Sequence, residues 1–411
     1  MMKRFLVISL LLAGFANAGA QNLLEDFLFG PFGHSGKATP GEEEKKVSFA
    51  YDLDFLYRFD NREFAASSDA VTPSMTTHGV VFTPEAGVKV RPDRIQTHKV
   101  MAGIMATHDM GTSSSLIPGE NKYDLLAFYN YTTGLGRITG FSATAGIFPR
   151  NRITGEYSEA FFSDSLKYYD PLVEGMLLQF NSPSFRAELG LDWMGQKGEE
   201  RKERFQIYSS GKWAPLSWLS AGWAASMYHY AGSVQAPGVV DNHMVNPYVK
   251  FSCDGALPLF AASLKAGLLA TYQWDRKFDG SVRAPFGGEF VLDLWYAGFT
   301  LRNTTYVGKD LLYYYNDRDA AGNKYGNLLY RGSPFYTGFY DLAEIGWKPL
   351  SAGCVDLSVN LRFHFSGSGY MGCQQVCSLL FNLEKAGRTG AVRTAVKKKK
   401  VRAEAPGQRA L

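Results

Sequence analysis

The chain reads as an all-β protein, a transmembrane antiparallel β-barrel of about sixteen strands, with fourteen and eighteen as the neighbouring alternatives. Three observations predict this. First, Val47 to Phe59 alternates without a break: Val47, Phe49, Tyr51, Leu53, Phe55, Tyr57 and Phe59 are apolar, and Ser48, Ala50, Asp52, Asp54, Leu56 and Arg58 lie between them. A strand points successive side chains to opposite faces, so this segment has one greasy face and one face that carries charge. Second, the pattern recurs down the chain behind a secretion signal. Third, short and long connections alternate, as periplasmic turns and external loops do in outer-membrane barrels. A β-sandwich has no reason to alternate its loops in that way.

The signal comes first. Met1 to Arg4 form a basic start and Phe5 to Phe15 an apolar stretch. Ala16-Asn17-Ala18 and Ala18-Gly19-Ala20 are small-x-small cleavage sites, so residues 1–20 are expected to be removed. No cysteine lies nearby, which excludes a lipoprotein signal. No later stretch reaches the ~20 apolar residues of a spanning helix.

The strands follow in order. Strand one is Val47 to Phe59, strand two about Gly79 to Val90, and strand three about Thr97 to Thr107. Strand four carries Tyr123 to Tyr131, strand five Phe141 to Ile147, and a short strand six Met176 to Phe180. Strand seven sets Phe185, Leu189 and Trp193 against Arg186, Glu188 and Asp192. Strand eight holds Phe205, Ile207 and Trp213, strand nine Leu219 to Met227, and strand ten Val245 to Cys253. Strand eleven is among the clearest, from Phe260 to Trp274. Strands twelve (Phe290 to Tyr296) and thirteen (Phe299 to Val307) join tightly near Gly298. Strand fourteen lies near Tyr336 to Trp347, strand fifteen runs Val355 to Phe365, and strand sixteen ends in Leu379, Phe381 and Leu383.

Short connections such as Arg91-Pro92-Asp93-Arg94, Ala214-Pro215 and Ala297-Gly298 carry turn chemistry. Long ones include Asp60 to Thr77, Pro149 to Glu174, Tyr230 to Asp241 and Lys309 to Pro334. Both ends of residues 47–383 then fall on the periplasmic side. A sheet that spans lipid must close, because an open edge leaves backbone groups unpaired, so strand one must pair with strand sixteen. Residues 21–46 are read as a flexible periplasmic segment, with a short helix at Leu23 to Leu28 able to plug or dock. Residues 384–411 are read as a disordered basic tail.

Net charge is +4, but the signal and the tail carry the excess. The body between them is mildly acidic, which argues against a nucleic-acid partner. Cys253, Cys354, Cys373 and Cys377 form no disulfide scaffold. Cys373 and Cys377, four residues apart along one strand, are too far apart to bridge each other.

The polar strand faces supply candidate channel-lining residues: Asp52, Asp54, Arg58, Arg186, Glu188, Asp192, Lys250, Lys265, Asp293, Arg302 and Arg362. Both signs occur in similar number, so the set favours neither cations nor anions. The long loop from Pro149 to Glu174 supplies candidate constriction residues: Arg150, Arg152, Glu156, Tyr168, Tyr169 and Asp170. Such a loop either folds inward to narrow a channel or packs outside on its neighbours. The Lys309 to Pro334 loop is similar, with Tyr313, Tyr314, Tyr315, Asp317, Arg318 and Asp319. Asp317, Asp319, Gly322 and Asn323 lack the spacing and final Glu of a calcium loop, and the seven histidines show no ligand spacing. No metal or cofactor is expected. His108, Asp109 and Ser113 to Ser115 share one loop, but closeness along a loop does not make a triad.

Phe59-Asp60-Asn61-Arg62-Glu63-Phe64, with Ala160-Phe161-Phe162-Ser163-Asp164-Ser165 and Tyr168-Tyr169-Asp170-Pro171, resembles the porin-like outer-membrane barrels of the Bacteroidota. The resemblance covers most of Val47 to Leu383. It implies a barrel and passive transport, with no catalytic residues.

The expectation is therefore a non-enzymatic outer-membrane channel for passive diffusion of small polar solutes, monomeric or homo-trimeric. Its partners are outer-membrane lipid and the solute. The alternative is a non-conducting component of a secretion or surface-attachment system. A third reading, a membrane-embedded hydrolase, predicts that replacing His108 abolishes cleavage.

Overall fold

Sixteen long strands close into one antiparallel sheet among the described residues. The computed structural model describes residues 46–65, 74–110, 123–135, 139–235, 237–254, 260–277, 280–311, 332–352 and 354–383. The signal, nearly all of the 21–46 segment, the 384–411 tail, Tyr313 to Asp319 with the faint calcium loop, and Ser113 to Ser115 lie outside them.

The strands are β1 (Val47–Phe64), β2 (Met75–Val90), β3 (Gln96–Asp109), β4 (Tyr123–Gly134), β5 (Gly140–Pro149), β6 (Leu172–Asn181), β7 (Phe185–Gly195) and β8 (Glu203–Leu216). Then come β9 (Leu219–Gly232), β10 (Pro237–Asp254), β11 (Phe260–Asp275), β12 (Phe286–Tyr296), β13 (Phe299–Gly308), β14 (Phe339–Ala352), β15 (Val355–Ser366) and β16 (Gly369–Asn382). Val282–Arg283 adds a two-residue bridge on β11. Each strand pairs with its sequence neighbours, and β1 closes on β16 with Phe59 opposite Cys377 and Phe55 opposite Phe381. Closure leaves no sheet edge to face lipid, which is the condition for spanning a bilayer.

The expected order of strands holds throughout, but several run further at their external ends. β1 continues through Asp60-Asn61-Arg62-Glu63-Phe64, a stretch expected to be loop. There Asp60 accepts from Arg62 at 2.7 Å and from the Gln374 amide at 2.8 Å, so polar groups on the inner wall carry the ladder onward. β9 and β10 likewise extend to Gly232 and back to Pro237. The turn expected at Ala214-Pro215 sits instead at Ser217-Trp218, between Leu216 and Leu219. Ala297 (φ 48°) and Gly298 (φ 90°) make the two-residue turn expected between β12 and β13, with both residues in the left-handed region that such hairpins need. Two external connections break the alternation: Gly367-Ser368 joins β15 to β16 tightly, and only residues 233–236 separate β9 from β10.

The outer face is apolar and exposed, with Phe49, Tyr51, Leu125, Val249 and Phe290 pointing away from the barrel. Stacked aromatics mark both ends of this band. Trp218 lies 6.3 Å from Phe251 and Phe299 6.0 Å from Trp347 at the short-turn end, and Trp193 stacks 5.3 Å from Phe205 at the other. Such girdles mark the two membrane boundaries. The core sits inside the barrel. Inner-wall Met101, Phe128, Leu177, Tyr208, Tyr306 and Tyr340 are buried against Phe161, Phe162 and Leu166 of the β5–β6 connection. That connection therefore folds inward.

Candidate functional site

The inward loop is shaped by its own sequence. Ala160-Phe161-Phe162 is an apolar run in a polar connection, and it buries almost completely against the inner wall. Ser163 Oγ then accepts from the Leu166 N–H at 3.1 Å and caps a short helix, α1 (Asp164–Tyr169). α1 puts Leu166 and Tyr168 on the wall and leaves Asp164 facing Arg58.

Ion pairs from loop to wall fix the rest. Arg150 donates to Asp192 at 2.7 Å and to the Leu172 and Asp170 carbonyls at 2.6 and 2.8 Å. Glu156 accepts from Lys212 at 2.8 Å and Arg186 at 2.9 Å, with Lys250 at 3.4 Å. Burial raises the pKa of a carboxyl group, but these three cations outweigh it and hold Glu156 down at about 2. Arg362 clamps Glu159 and lies 3.6 Å from Asp164, and Arg58 donates to Asp164 as well. Burial again opposes ionisation, and Arg58 with Arg362 holds the Asp164 carboxyl well below the usual carboxylate range. Ser158 donates to Glu289, which also pairs with Lys265 at 3.0 Å and accepts from Tyr336 at 3.3 Å.

This geometry corrects several expectations. Glu188 and Asp192 do not line an open lumen. Glu188 lies beneath the loop and accepts from the Thr154 N–H at 3.0 Å, and Asp192 is buried under Arg150. Arg58, Lys265 and Arg362 anchor the loop and the wall and also border a polar space beside them. Arg150 is not a solute-facing constriction residue, because its guanidinium is spent on the wall and the backbone. Arg152 lies over the Phe128 ring at 4.5 Å, and Tyr168 is buried against Tyr169 at 4.9 Å. Asp170 lies 3.8 Å from Arg150. Of the remaining candidates, Arg186 and Lys250 are tied to Glu156, while Asp52, Asp54 and Arg302 border polar spaces. Asp293 and Arg302 are 3.5 Å apart, and Asp52 and Asp54 gather around Asn382. Two polar spaces result. One, of about 270 Å³, is bounded by Arg58, Glu159, Lys167, Arg302 and Glu344. The other, of about 480 Å³, is bounded by Asp52, Asp54, Asn130, Ser142 and Gln179.

His108 and Asp109 do not form a dyad. They are successive strand residues on opposite faces, and Asp109 turns inward to within 3.4 Å of the Tyr168 hydroxyl. A different pair stands on the outer wall. His229 continues the outward parity of Trp223 and Met227 on β9, and Asp241 that of Val245 and Val249 on β10. The two residues are directly opposite, with His229 Nδ1 at 2.6 Å from Asp241 Oδ1. An ionised carboxylate only accepts, so Nδ1 carries a proton, and in the neutral ring the lone pair is then on Nε2. Arg276 Nε holds the other Asp241 oxygen at 2.9 Å, while its guanidinium lies 5.6 Å from the Trp274 ring. The imidazole stacks on Phe205 at 4.8 Å, within the outer girdle. Sequence reading missed this pair because it assigned Tyr230 to Asp241 to a loop. The available signal was His229, one step beyond Met227 in the same parity.

A closed sheet with a greasy outer band between aromatic girdles defines an outer-membrane β-barrel protein. More particularly, the chain belongs to the lipid A 3'-O-deacylase-type family, whose model matches residues 41–281, more than half of its length. The match spans β1 to β11, the inward loop and the His229–Asp241 pair. It overturns the expectation of a non-enzymatic barrel, since the family is described by an enzymatic activity. No curated protein sequence matches the chain. Solved barrels resemble it at low identity. OmpF of Salmonella typhi, in complex with daunomycin, is 10% identical over 82% of this chain and 98% of its own, with a TM-score of 0.47. OmpT of Vibrio cholerae is 8% identical over 83% and 98%, at 0.48. OpdL of Pseudomonas aeruginosa is 11% identical over 82% and 99%, at 0.46.

Proposed function

We propose that this barrel is an outer-membrane ester hydrolase that removes an O-linked acyl chain from lipid A, the activity in its family's description. The observation that carries this reading is the hydrogen-bonded His229–Asp241 pair on the lipid-facing wall. Polar side chains on that face are destabilising and call for a reason. The pair lies about three residues, or ~10 Å, below the end of β9. That is the level of the aromatic girdle, where the ester groups of an outer-leaflet lipid meet its head group.

The chemistry follows from the geometry. Asp241 holds the imidazole through Nδ1, which leaves Nε2 as the basic nitrogen of the neutral ring, and among the described residues Nε2 has no hydrogen-bond partner. Nε2 takes a proton from water as the water oxygen bonds to the ester carbonyl carbon. Arg276, held through Nε, keeps its terminal nitrogens for the developing oxyanion. When the carbonyl bond to the sugar oxygen breaks, His229 returns the proton to that oxygen, leaving a fatty acid and a sugar hydroxyl. General acid–base catalysis contributes on the order of 10²–10⁴-fold. Purified protein added to lipid A vesicles should therefore release free fatty acid, and His229→Ala should slow release by at least ~100-fold. A wild-type barrel that leaves every acyl chain in place sinks the reading.

A second reading has its own observation, the two polar spaces that border the inward loop. We infer from them a route for passive passage of small polar solutes, in keeping with the porin-like Bacteroidota resemblance. Discrete conductance steps in planar bilayers support it, and a silent barrel across ionic conditions rejects it.

A further inference from the structure

We propose that the inner wall holds a binding subsite for small carboxylate anions, formed by Arg186, Lys212, Lys250 and the Tyr248 hydroxyl, with Glu156 of the inward loop as its built-in occupant. The site is independent of the lipid-facing pair.

Three cations from β7, β8 and β10 converge on one carboxylate, at 2.9, 2.8 and 3.4 Å. One Glu cannot neutralise three cations. Glu188, held by Thr154 and the Gln179 amide at 3.1 Å, borders the same pocket and adds a second negative charge, so three cations still outnumber two carboxylates. The wall keeps this excess against a further penalty. Lys250 stands directly opposite Lys265 across β10 and β11, and like charges so placed are destabilising. Lys265 is answered by Glu289, so the uncompensated charge lies on the Glu156 side.

Tyr248 is the second, independent observation. It is buried, and among the described residues its hydroxyl has no hydrogen-bond partner. Buried polar groups are nearly always paired, so an orphan calls for a ligand. Its place is fixed by Gly222, which sits opposite both Tyr248 and Lys212. A Cβ on Gly222 would lie 2.5 Å from the Tyr248 oxygen, so the ring end crosses the bare glycine toward Lys212. The hydroxyl thus supplies a donor beside the cations. Glu156 itself shows that the pocket accepts a carboxylate group, and Arg186 is half exposed, which leaves the pocket open to a solute. A carboxylate solute enters by displacing a tethered one, whose effective concentration is on the order of millimolar.

The test is calorimetric titration of the detergent-solubilised full-length protein with succinate, with chloride as control. Wild type should bind weakly. Glu156→Gln, which removes the competing negative charge and keeps the site's donors, should bind at least ~10-fold more tightly. Adding Lys212→Ala or Arg186→Ala to that variant should abolish the gain, and adding Tyr248→Phe should reduce it. Heat-modifiable gel migration checks that each barrel is folded. Glu156→Asp, which keeps the loop charge but shortens its reach, should fall between wild type and Glu156→Gln. The proposal is overturned if Glu156→Gln and Glu156→Asp bind succinate no better than wild type. It is equally overturned if the gain survives loss of Lys212, or if chloride binds as well as succinate.

Discussion

Arg150 decides, as a single side chain, what the inside of the barrel looks like. It is buried, it pairs with Asp192, and it closes two backbone carbonyls at the root of the inward loop. Breaking a buried pair by removing one partner typically costs about 3–5 kcal/mol, because the other charge is left uncompensated. Arg150→Met should therefore loosen the loop while the strand ladder persists. Amide hydrogen exchange should rise across residues 153–163 and stay unchanged in β6 and β7. Unchanged loop exchange would show that the aromatic packing of Phe161 and Phe162 suffices alone. Arg150 also shows where sequence reading stops. A cation in a long loop suggests contact with solute, and nothing local reveals that its carboxylate partner lies forty-two residues away on the wall.

At the scale of elements, the strands were legible and the loop's direction was not. Alternation is written residue by residue in segments such as Phe260 to Trp274, because lipid on one side and water on the other enforce it. From the outer girdle upward that constraint weakens, so the external ends of β1, β9 and β10 read as loops. The inward fold of the β5–β6 connection left one signal, Ala160-Phe161-Phe162, a greasy run that a solvated loop would not keep. The loop's attachment should depend on pH through Glu156. Its folded value, about 2, lies below the ordinary 4.5. A group with a depressed folded value stabilises the folded arrangement fully above its ordinary value and loses that contribution as pH falls toward the folded one. Hydrogen exchange in residues 153–163 should therefore increase between pH 4.5 and about 2. In Glu156→Gln that part of the pH dependence should be absent.

The whole molecule depends on closure. The first and last strands must meet, and the register puts Phe59 opposite Cys377 on the outer face. Directly opposed residues in an antiparallel pair have Cα atoms roughly 4.5–5.5 Å apart, within reach of a disulfide. Phe59→Cys, in a background with the other three cysteines replaced by Ser, should cross-link to Cys377 on oxidation. A chain whose ends stay unlinked would contradict the barrel.

Closure also separates two environments, an inner wall occupied by its own loop and an outer wall in contact with lipid. The proposed chemistry belongs to the second, so its most direct test compares one variant on each side. Lipid A vesicles incubated with wild type, His229→Ala and Glu156→Gln can be weighed by mass spectrometry for loss of one acyl chain. Wild type and the inner-wall variant should produce the lighter lipid at similar rates, while the outer-wall variant leaves it intact. A lipid that keeps all its chains with wild type, or loses one equally fast with His229→Ala, would contradict the account.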